Sequence, residues 1–197
     1  IGVSDGESRM DVFFQVQERM LRPKAGNVAV LVQSGTVGAA VLEELVDTGV
    51  SRFASYGNRL NVDEADLITY LASDDATEVI VVYVEGLDDG RKFLEAAKAV
   101  SAQKPIVIFK GGRTQRGARA SMSHTGYFGG TYGVVEGAFK QAGLVAVDSI
   151  EEMYGVAKAL ALQPHPAGPR IAMVSNGAGT MVQAIDIMDR YGLQLAD

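Results

Sequence analysis

The chain has 197 residues, of which 47% are hydrophobic and 21% charged, and its formal net charge is -6. That length is enough for one well-buried domain and part of another. The negative charge argues against nonspecific binding to nucleic acid or to an anionic membrane. Because the chain has no cysteine and only two histidines, it excludes disulfides, thiolate nucleophiles, zinc–thiolate sites and a His-rich metal cluster. The apolar runs are short and no signal peptide pattern is present, so we expect a soluble cytoplasmic protein.

Short runs of β-branched residues alternate with helical patterns along most of the chain. The predicted strands are Val28–Val32, Arg52–Ser55, Val79–Val84, Ile106–Phe109, Leu144–Val147 and Ile171–Ser175. The predicted helices are Val37–Asp47, Glu64–Leu71, Gly90–Ser101, Tyr132–Gln141, Glu151–Leu162 and Thr180–Arg190. Continuous apolar strands joined by helices indicate an α/β fold with a parallel sheet covered on both faces. Ligands of such sheets bind beyond the carboxyl ends of the strands.

Two stretches interrupt this alternation. Residues 1–25 are rich in Asp, Gly and Ser and are interpreted as a linker. Residues 163–169 hold three of the five prolines and are interpreted as a linker between domains. Residues 26–162 would then form one domain. A single strand and helix at 170–197 cannot bury a core alone, so we interpret this segment as the start of a second, truncated domain of similar fold.

Residues 110–130 are predicted to form a basic, glycine-rich loop. Its centre reads Ser121-Met122-Ser123-His124-Thr125-Gly126. A histidine flanked by small residues suits covalent chemistry, because neutral imidazole is a nucleophile toward phosphorus near neutral pH. The residues alone leave open the alternative that His124 is an ordinary exposed or capping histidine.

Two predicted helices begin in small polar turns that could bind an anion. These turns are Ser34-Gly35-Thr36 and Asn176-Gly177-Ala178-Gly179. Unpaired N–H groups and the helix dipole favour negative charge at such positions. We expect the two helix starts to face each other and to hold one phosphate between them. The alternative for each turn is simple N-capping by Ser, Thr or Asn.

Further candidates follow two other strands. Glu85 ends the apolar strand Val79–Val84, where its carboxylate could accept a hydrogen bond from His124 and fix the imidazole tautomer. The alternative is a solvated glutamate. Tyr56-Gly57-Asn58-Arg59 either shapes a carboxylate or thioester pocket or is a plain glycine turn. Acidic pairs at 74–75 and 88–89 are interpreted as surface turns and helix starts, and no metal site is predicted.

Six short motifs, in order along residues 25–197, resemble those of NDP-forming acyl-CoA synthetases. This is the ADP-forming acetyl-CoA synthetase family, which is related to succinyl-CoA synthetase. The motifs are Val32-Gln33-Ser34-Gly35, Ser55-Tyr56-Gly57-Asn58, Asp74–Gly86, Lys110-Gly111-Gly112-Arg113, Ser123-His124-Thr125-Gly126 and Asn176-Gly177-Ala178-Gly179. The resemblance implies a flavodoxin-like fold, in agreement with the strand and helix pattern. Asn61 and Ala178 stand where the family more often has aspartate and glycine.

The resemblance also implies a reaction. An acid–thiol ligase would interconvert acyl-CoA, NDP and phosphate with carboxylic acid, CoA and NTP, through an acyl phosphate and a phosphohistidine at His124. Glu85 would be the partner of that histidine, and Ser34, Gly35 and Thr36 with residues 176–179 would bind phosphate. The substrate pocket is expected to include Ser55, Gly57, Asn58, Ser123, Thr125 and Gly126.

The implied cofactors are CoA, ADP or ATP, and Mg²⁺, bound mainly on a CoA-binding domain before this chain and an ATP-grasp domain after it. We therefore expect the chain to be inactive alone, and to form a homodimer as related enzymes assemble around these domains. One alternative is a non-catalytic regulatory domain of a Pat-type protein acetyltransferase, whose synthetase-like region is degenerate. Another is an unrelated flavin or nucleotide binder, but no G-x-G-x-x-G fingerprint and no tryptophan is present.

Overall fold

A computed structural model describes residues 2–125, 131–164 and 166–196, with only the backbone at 123–125. The chain divides into two compact units, Ile1–Gln163 and Pro164–Asp197. In the first unit the strands are β1 (Gly2–Asp5), β2 (Met10–Val12), β3 (Ala25–Val32), β4 (Val50–Ser55), β5 (Val79–Val84), β6 (Ile106–Lys110) and β7 (Val145–Ala146). Its helices are α1 (Gly35–Glu44), α2 (Glu64–Ala72), α3 (Gly90–Ser101), α4 (Gln115–Thr125), α5 (Tyr132–Gln141) and α6 (Ile150–Leu162).

The strands of the first unit form one sheet in the order β2-β1-β4-β3-β5-β6-β7. The five strands from β4 to β7 in this order are mutually parallel, whereas β1 runs antiparallel to both β2 and β4. Counted along the chain, the parallel strands have the order 2-1-3-4-5, which is the flavodoxin-like order. The predicted α/β fold with a parallel sheet is therefore confirmed. Its topological switch point lies between β3 and β5.

Alternating side chains of the central strands pack on opposite faces of the sheet. Val28, Val30 and Val32 contribute to a core with residues of α1 and α6. Ala29 and Leu31 contribute to a second core with residues of α2, α3 and α5. Because both faces are covered, the strands read as continuous apolar runs rather than as alternating ones.

Side-chain caps fix where several helices begin. Ser34 caps α1, Asp89 caps α3 and Ser149 caps α6, each accepting a hydrogen bond from a backbone N–H of the first turn. Asp63 caps α2 in a reciprocal capping box with Asp66. These caps place the starts of α1 and α3 directly after the carboxyl-end turns of β3 and β5.

The structure differs from the sequence interpretation at residues 1–25, where a linker was expected. β1 and β2 form an antiparallel hairpin that extends the sheet beyond β4. The polar residues that suggested a linker make specific contacts: Arg52 on β4 forms ion pairs with Asp5 at 2.6 Å and Glu7 at 3.0 Å. Phe13 packs on Phe53 with ring centroids 5.1 Å apart. The composition of this segment is polar, as in a linker, yet its acidic side chains pair with Arg52 on the neighbouring strand.

The predicted loop at 110–130 was wrong for its middle part, because residues 115–125 form helix α4. Glycines stand mostly at the two ends of this segment, and its middle is rich in Ala, Arg, Gln and Met, which favour helix. Residues 126–130 lie outside the described part of the chain.

The second unit contains β8 (Arg170–Ile171), α7 (Ala178–Arg190) and β9 (Gln194–Leu195). β8 and β9 pair in parallel, with Arg170 opposite Gln194. β8 is shorter than the predicted strand Ile171–Ser175 and begins one residue earlier, since β9 pairs only with Arg170 and Ile171. Within the described ranges of both units, no helix has the length and apolar character needed to cross a membrane.

Two helical glycines give a test of the packing between α1 and the sheet. A Cβ at Gly38 would lie 2.8 Å from Val32 and 2.9 Å from Phe53, both buried, whereas a Cβ at Gly137 in α5 meets nothing within 4 Å. We expect Gly38→Ala to lower the free energy of unfolding by about 1–3 kcal/mol through overpacking. Gly137→Ala should raise it by up to about 1 kcal/mol through helix propensity. Denaturant unfolding of both variants measures the difference, and equal effects would contradict this packing.

Candidate functional site

The candidate site lies at the carboxyl edge of the parallel sheet, around the switch point. Gln33 follows β3, Ser55 ends β4, Glu85 follows β5 and Lys110 ends β6. All four residues are buried, with exposures of 5%, 2%, 9% and 6%. Polar groups are costly to bury unless they are satisfied or used. The burial of four polar residues at one edge therefore marks this edge as the candidate site.

A single carboxamide holds the turn that carries Glu85. The Oε1 of Gln33 accepts hydrogen bonds from the backbone N–H of Glu85 at 2.7 Å and of Gly86 at 3.2 Å. Since both partners are donors, the oxygen of the carboxamide must face them and its NH2 group must face away. That Nε2 atom is buried and has no hydrogen-bond partner among the residues that the structure describes. Gln33 thus spans the switch point and directs a buried N–H donor away from the Glu85 turn.

The Glu85 carboxylate is a buried group rather than the solvated alternative. The Tyr83 hydroxyl donates to its Oε1 at 3.3 Å. Burial and the neighbouring Glu85 raise the pKa of Tyr83 well above its usual range, so the phenol stays protonated as a donor. A Cβ at Gly111 would lie 2.8 Å from the Tyr83 hydroxyl and 3.5 Å from Glu85 Cγ. A side chain at position 111 would therefore crowd the Tyr83 hydroxyl beside this carboxylate.

Lys110 and Ser121 hold the main chain of Glu85 from the other side. Lys110 Nζ donates to the carbonyl of Glu85 at 2.6 Å and also to the carbonyl of Gly111. Ser121, on α4, donates to the same Glu85 carbonyl at 3.3 Å. Burial lowers the pKa of Lys110, and the negative charge of Glu85 opposes this effect. The Glu85 peptide is thus fixed by contacts from β3, β6 and α4.

His124 lies on α4, three positions after Ser121. Positions three apart in a helix lie on one side of it. The backbone therefore places position 124 one turn beyond a contact with the Glu85 carbonyl. The side chains of Ser123, His124 and Thr125 lie outside the described part of the structure, as does Gly126. The predicted hydrogen bond between His124 and Glu85 stays a prediction.

The start of α1 brings two predicted site segments together. Ser34 is the N-cap, and its hydroxyl accepts from Val37 N at 3.5 Å. Thr36 is exposed, and Ser34 and Gly35 are half-buried. The Ser55 hydroxyl, which has no hydrogen-bond partner within the described part of the chain, would lie 3.7 Å from a Cβ at Gly35. An unsatisfied hydroxyl next to a helix N-terminus suits an anionic ligand.

The turn after β4 contributes structure as well as a surface. Gly57 and Arg59 both adopt left-handed backbone, with φ of 61° and 58°, and Asn58 is exposed. The Arg59 guanidinium forms a bidentate ion pair with Glu64, at 2.7 and 3.0 Å, and the two side chains are 4% and 3% exposed. Arg59 also donates to the carbonyl of Gly86. This buried pair therefore supports the turn that follows Glu85.

The second predicted anion turn lies in the separate second unit. Gly177 is the N-cap of α7 and makes no side-chain cap hydrogen bond, so simple capping by an Asn, Ser or Thr at that position does not apply. Ser175 accepts from the Gly177 N–H at 3.0 Å, and its hydroxyl lies 3.1 Å from that of Thr180. Joint binding of one phosphate by the two helix starts stays a prediction.

The acidic pairs have structural contacts. Asp74 pairs with Arg52 at 3.0 Å and accepts from Thr77 at 2.6 Å, and Asp89 caps α3. Over the residues that the structure describes, no group of three or more His, Cys, Asp or Glu side chains is arranged to hold a metal ion. His165, which was interpreted as part of the linker, lies outside those residues.

Comparison with known proteins identifies the class to which this fold and site belong. A family model described as the succinyl-CoA ligase like flavodoxin domain matches residues 25–160. The chain belongs to this family. The family-level resemblance of the six motifs is therefore confirmed.

Particular relatives narrow the comparison. The chain is 42% identical over 176 residues to the alpha subunit of ADP-forming acetate–CoA ligase II of Pyrococcus furiosus, covering 88% of this chain and 38% of the relative. It is 40% identical over 199 residues to ADP-forming acetate–CoA ligase I of Archaeoglobus fulgidus, covering 100% of this chain and 28% of the relative. The chain thus spans between about a quarter and two fifths of the length of these curated relatives.

A solved structure agrees with this placement. The dinucleotide forming acetyl-coenzyme A synthetase 1 of Ca. Korarchaeum cryptofilum, in complex with phosphate and ADP, matches with a TM-score of 0.89 and 36% identity. The match covers 99% of this chain and 42% of that one. Its topology and that of the present chain are therefore the same over nearly every residue.

Sequence reasoning missed three residues that hold the site. Gln33 and Lys110 stood inside recognised motifs, and Arg59 stood in the candidate turn after the second predicted strand, but none of them received a role of its own. Gln33 and Glu85 are 52 positions apart, and Lys110 and Glu85 are 25 apart, so no local spacing links them. The only available signal was the presence of polar residues at the ends of buried strands.

The buried pair of Arg59 and Glu64 can be tested by breaking it. We expect Arg59→Met to cost about 3–5 kcal/mol of folding free energy, because it leaves a buried carboxylate without its partner. Arg59→Met combined with Glu64→Leu should recover most of that loss. Lys158→Met is the control, since Lys158 and Glu44 are 34% and 48% exposed and 3.5 Å apart, and it should cost less than about 1 kcal/mol. Thermal unfolding compares them, and a double variant as unstable as the single one would contradict the burial argument.

Proposed function

We propose that this chain is the phosphohistidine-bearing module of an NDP-forming acyl-CoA ligase, with His124 as the phosphoryl carrier. The observation that carries the proposal is the contact of α4 with the Glu85 turn, made by Ser121 one helical turn before His124. A buried glutamate next to the helix of a histidine fits the pairing that phosphohistidine chemistry needs. The family membership and the ADP-forming relatives support it.

The first step makes an acyl phosphate. An oxygen of inorganic phosphate attacks the thioester carbonyl carbon of acyl-CoA, a C–O bond forms, the C–S bond breaks and the CoA thiolate leaves. In our proposal the start of α1 holds the phosphate, with its N–H groups and the Ser34, Thr36 and Ser55 hydroxyls around the anion. The helix start lies beside the switch point, where ligands of such sheets bind.

The second step moves the phosphoryl group to the protein. One imidazole nitrogen of His124 attacks phosphorus, the P–O bond to the acyl group breaks and the carboxylate product leaves. The ring gains positive charge as the N–P bond forms. The Glu85 carboxylate, oriented by Tyr83 and by its fixed main chain, accepts the hydrogen bond of the other ring nitrogen and balances that charge.

The third step requires parts beyond these residues. An oxygen of NDP attacks the phosphorus, the N–P bond breaks and NTP forms. Mg²⁺ would offset the charge of the nucleotide phosphates, and the described residues offer no cluster to hold it. We therefore propose that CoA and the nucleotide with Mg²⁺ bind mainly on CoA-binding and ATP-grasp domains of the same enzyme.

We also propose roles for the other predicted site residues. Ser55, Gly57, Asn58, Ser123, Thr125 and Gly126 would line the substrate pocket. The helix start at 176–179, which is part of the second unit, would also bind phosphate. We propose a cytoplasmic, homodimeric enzyme that does not bind nucleic acid.

The test is phosphorylation of the full-length protein that carries these residues, with ATP labelled in its γ-phosphate and Mg²⁺. We expect the wild type to take up acid-labile, base-stable label and His124→Ala to take up none. Glu85→Gln should slow labelling by about 10²- to 10⁴-fold, by analogy with the loss of an orienting carboxylate. Glu136→Gln is the control, because Glu136 forms a surface ion pair with Lys140 on α5, and the variant should label normally.

Two outcomes of the labelling experiment would contradict the proposal. If the wild type takes up no label where a known synthetase does, the phospho-relay is refuted. A regulatory domain of a Pat-type protein acetyltransferase then becomes the better assignment. If His124→Ala keeps the label, another residue carries the phosphoryl group.

A further inference from the structure

Lys110 is a buried cation to which the proposed reaction gives no part. Its side chain is at the carboxyl end of β6 and the residue is 6% exposed. The described hydrogen-bond acceptors of its Nζ are two main-chain carbonyls, those of Glu85 and Gly111. Among the described side chains, no carboxylate forms an ion pair with it. Burying an ammonium without a paired carboxylate is costly, so a residue that only tied two carbonyls together would not need the charge.

The same strand carries a matched lysine at its other end. Lys104 precedes β6, and its Nζ donates to the carbonyls of Leu71 at 2.8 Å and Asp74 at 2.7 Å. Lys104 therefore has the same number of carbonyl contacts as Lys110 but lies at the amino edge of the sheet. The two lysines differ in that Lys104 is half-buried whereas Lys110 is buried, and in that only Lys110 contacts the Glu85 main chain, which α4 also contacts.

Both acceptor positions of the Glu85 carbonyl are in use. Lys110 donates to it from β6 and Ser121 donates to it from α4, and a carbonyl oxygen has two lone pairs. The Gly111 N–H adds a hydrogen bond to the carbonyl of Val84 at 2.8 Å. The main chain that carries Glu85 and the helix that carries His124 thus meet at one oxygen atom, and the ammonium of Lys110 binds that oxygen.

We infer that Lys110 is a positioning residue that fixes the Glu85 peptide against α4 and supplies a fixed positive charge beside the phosphoryl-transfer site. The inference rests on the proposed function. The hydrogen bonds set the distance between the Glu85 turn and α4. The ammonium offsets the negative charge that arrives with the phosphoryl group, because two carbonyl dipoles neutralise its positive charge only in part.

Other charged and titratable residues stand on the elements next to this position. They are Tyr83 on β5, Tyr56 and Arg59 on the turn after β4, Glu85 itself, and Arg113, Arg116 and Arg119 on the segment after β6. Burial raises the pKa of Tyr83 and of Tyr56, so both phenols are neutral near neutral pH. If replacing Lys110 shifts the acid limb of the labelling rate against pH, the shift therefore reports the loss of the positive charge of the lysine.

The experiment measures single-turnover labelling by γ-labelled ATP across pH in the full-length protein. The variants are Lys110→Met, Lys110→Gln and Lys110→Arg, with Lys104→Gln as the matched control. We expect Met and Gln at 110 to slow labelling by about 10²-fold, the size of a misplacement near 1 Å. Removing a cation eases protonation of nearby groups, so the acid limb should move up by about one pH unit. Lys110→Arg should keep the acid limb of the wild type. Lys104→Gln should keep both the labelling rate and the acid limb of the wild type.

Hydrogen exchange gives a readout that does not depend on labelling. Amides of residues 84–86 should exchange faster in Lys110→Met and Lys110→Gln than in the wild type, and at the wild-type rate in Lys104→Gln. If the wild type takes up no label, the phosphohistidine is refuted, and hydrogen exchange still tests whether Lys110 positions the Glu85 peptide. Three results for the Met and Gln variants at 110 would each overturn the inference for Lys110. They are wild-type labelling rates with an unmoved acid limb, an equal loss of labelling rate at every pH, and unchanged hydrogen exchange at residues 84–86. Should the Met variant fail to fold, the contrast between Gln and Arg carries the same test.

Discussion

The structure of the site depends on one carboxamide, that of Gln33, which crosses the switch point of the sheet to bind two consecutive backbone N–H groups. At a switch point the chain leaves neighbouring strands in opposite directions, which opens a crevice beyond the carboxyl ends of β3 and β5. The Gln33 side chain bridges this crevice with hydrogen bonds of 2.7 and 3.2 Å. The N-cap of α1, one residue later, and the Glu85 turn are thereby held at a fixed separation. Everything proposed for phosphate and for His124 requires that separation.

The two edges of the sheet treat buried polar groups differently. At the amino edge, Ser51 and Thr77 share a hydrogen bond at 2.7 Å, and Thr77 also donates to Asp74 at 2.6 Å. At the carboxyl edge, the Nε2 of Gln33 and the hydroxyl of Ser55 are buried and have no hydrogen-bond partner among the described residues. A buried donor without a partner costs about 1–3 kcal/mol, so such a group calls for an explanation such as a ligand. The contrast supports the carboxyl edge as the candidate site without reference to any relative.

Sequence alone predicted the strands and most helices, because runs such as Val79–Val84 are buried on both faces and leave a strong pattern. It also placed Glu85 and Ser34 at the binding edge, since strand ends follow directly from strand positions. It could not find Gln33 or Lys110, whose contacts join residues far apart in the chain. It misjudged residues 2–12 for the same reason, since Asp5 pairs with Arg52 on a distant strand. It misjudged residues 115–125 for a local reason, because the glycines of the segment outweighed residues that favour helix.

The hairpin of β1 and β2 has a consequence for how the protein can be divided. The family match starts at residue 25, yet β1 pairs with β4 over Asp5 to Gly2 and covers its outer side. A recombinant piece begun at residue 25 would leave the main-chain donors and acceptors of β4 open to other molecules. Open edges of this kind pair with strands of neighbouring copies and lead to aggregation. The hairpin therefore protects solubility, and a boundary taken from sequence similarity would remove that protection.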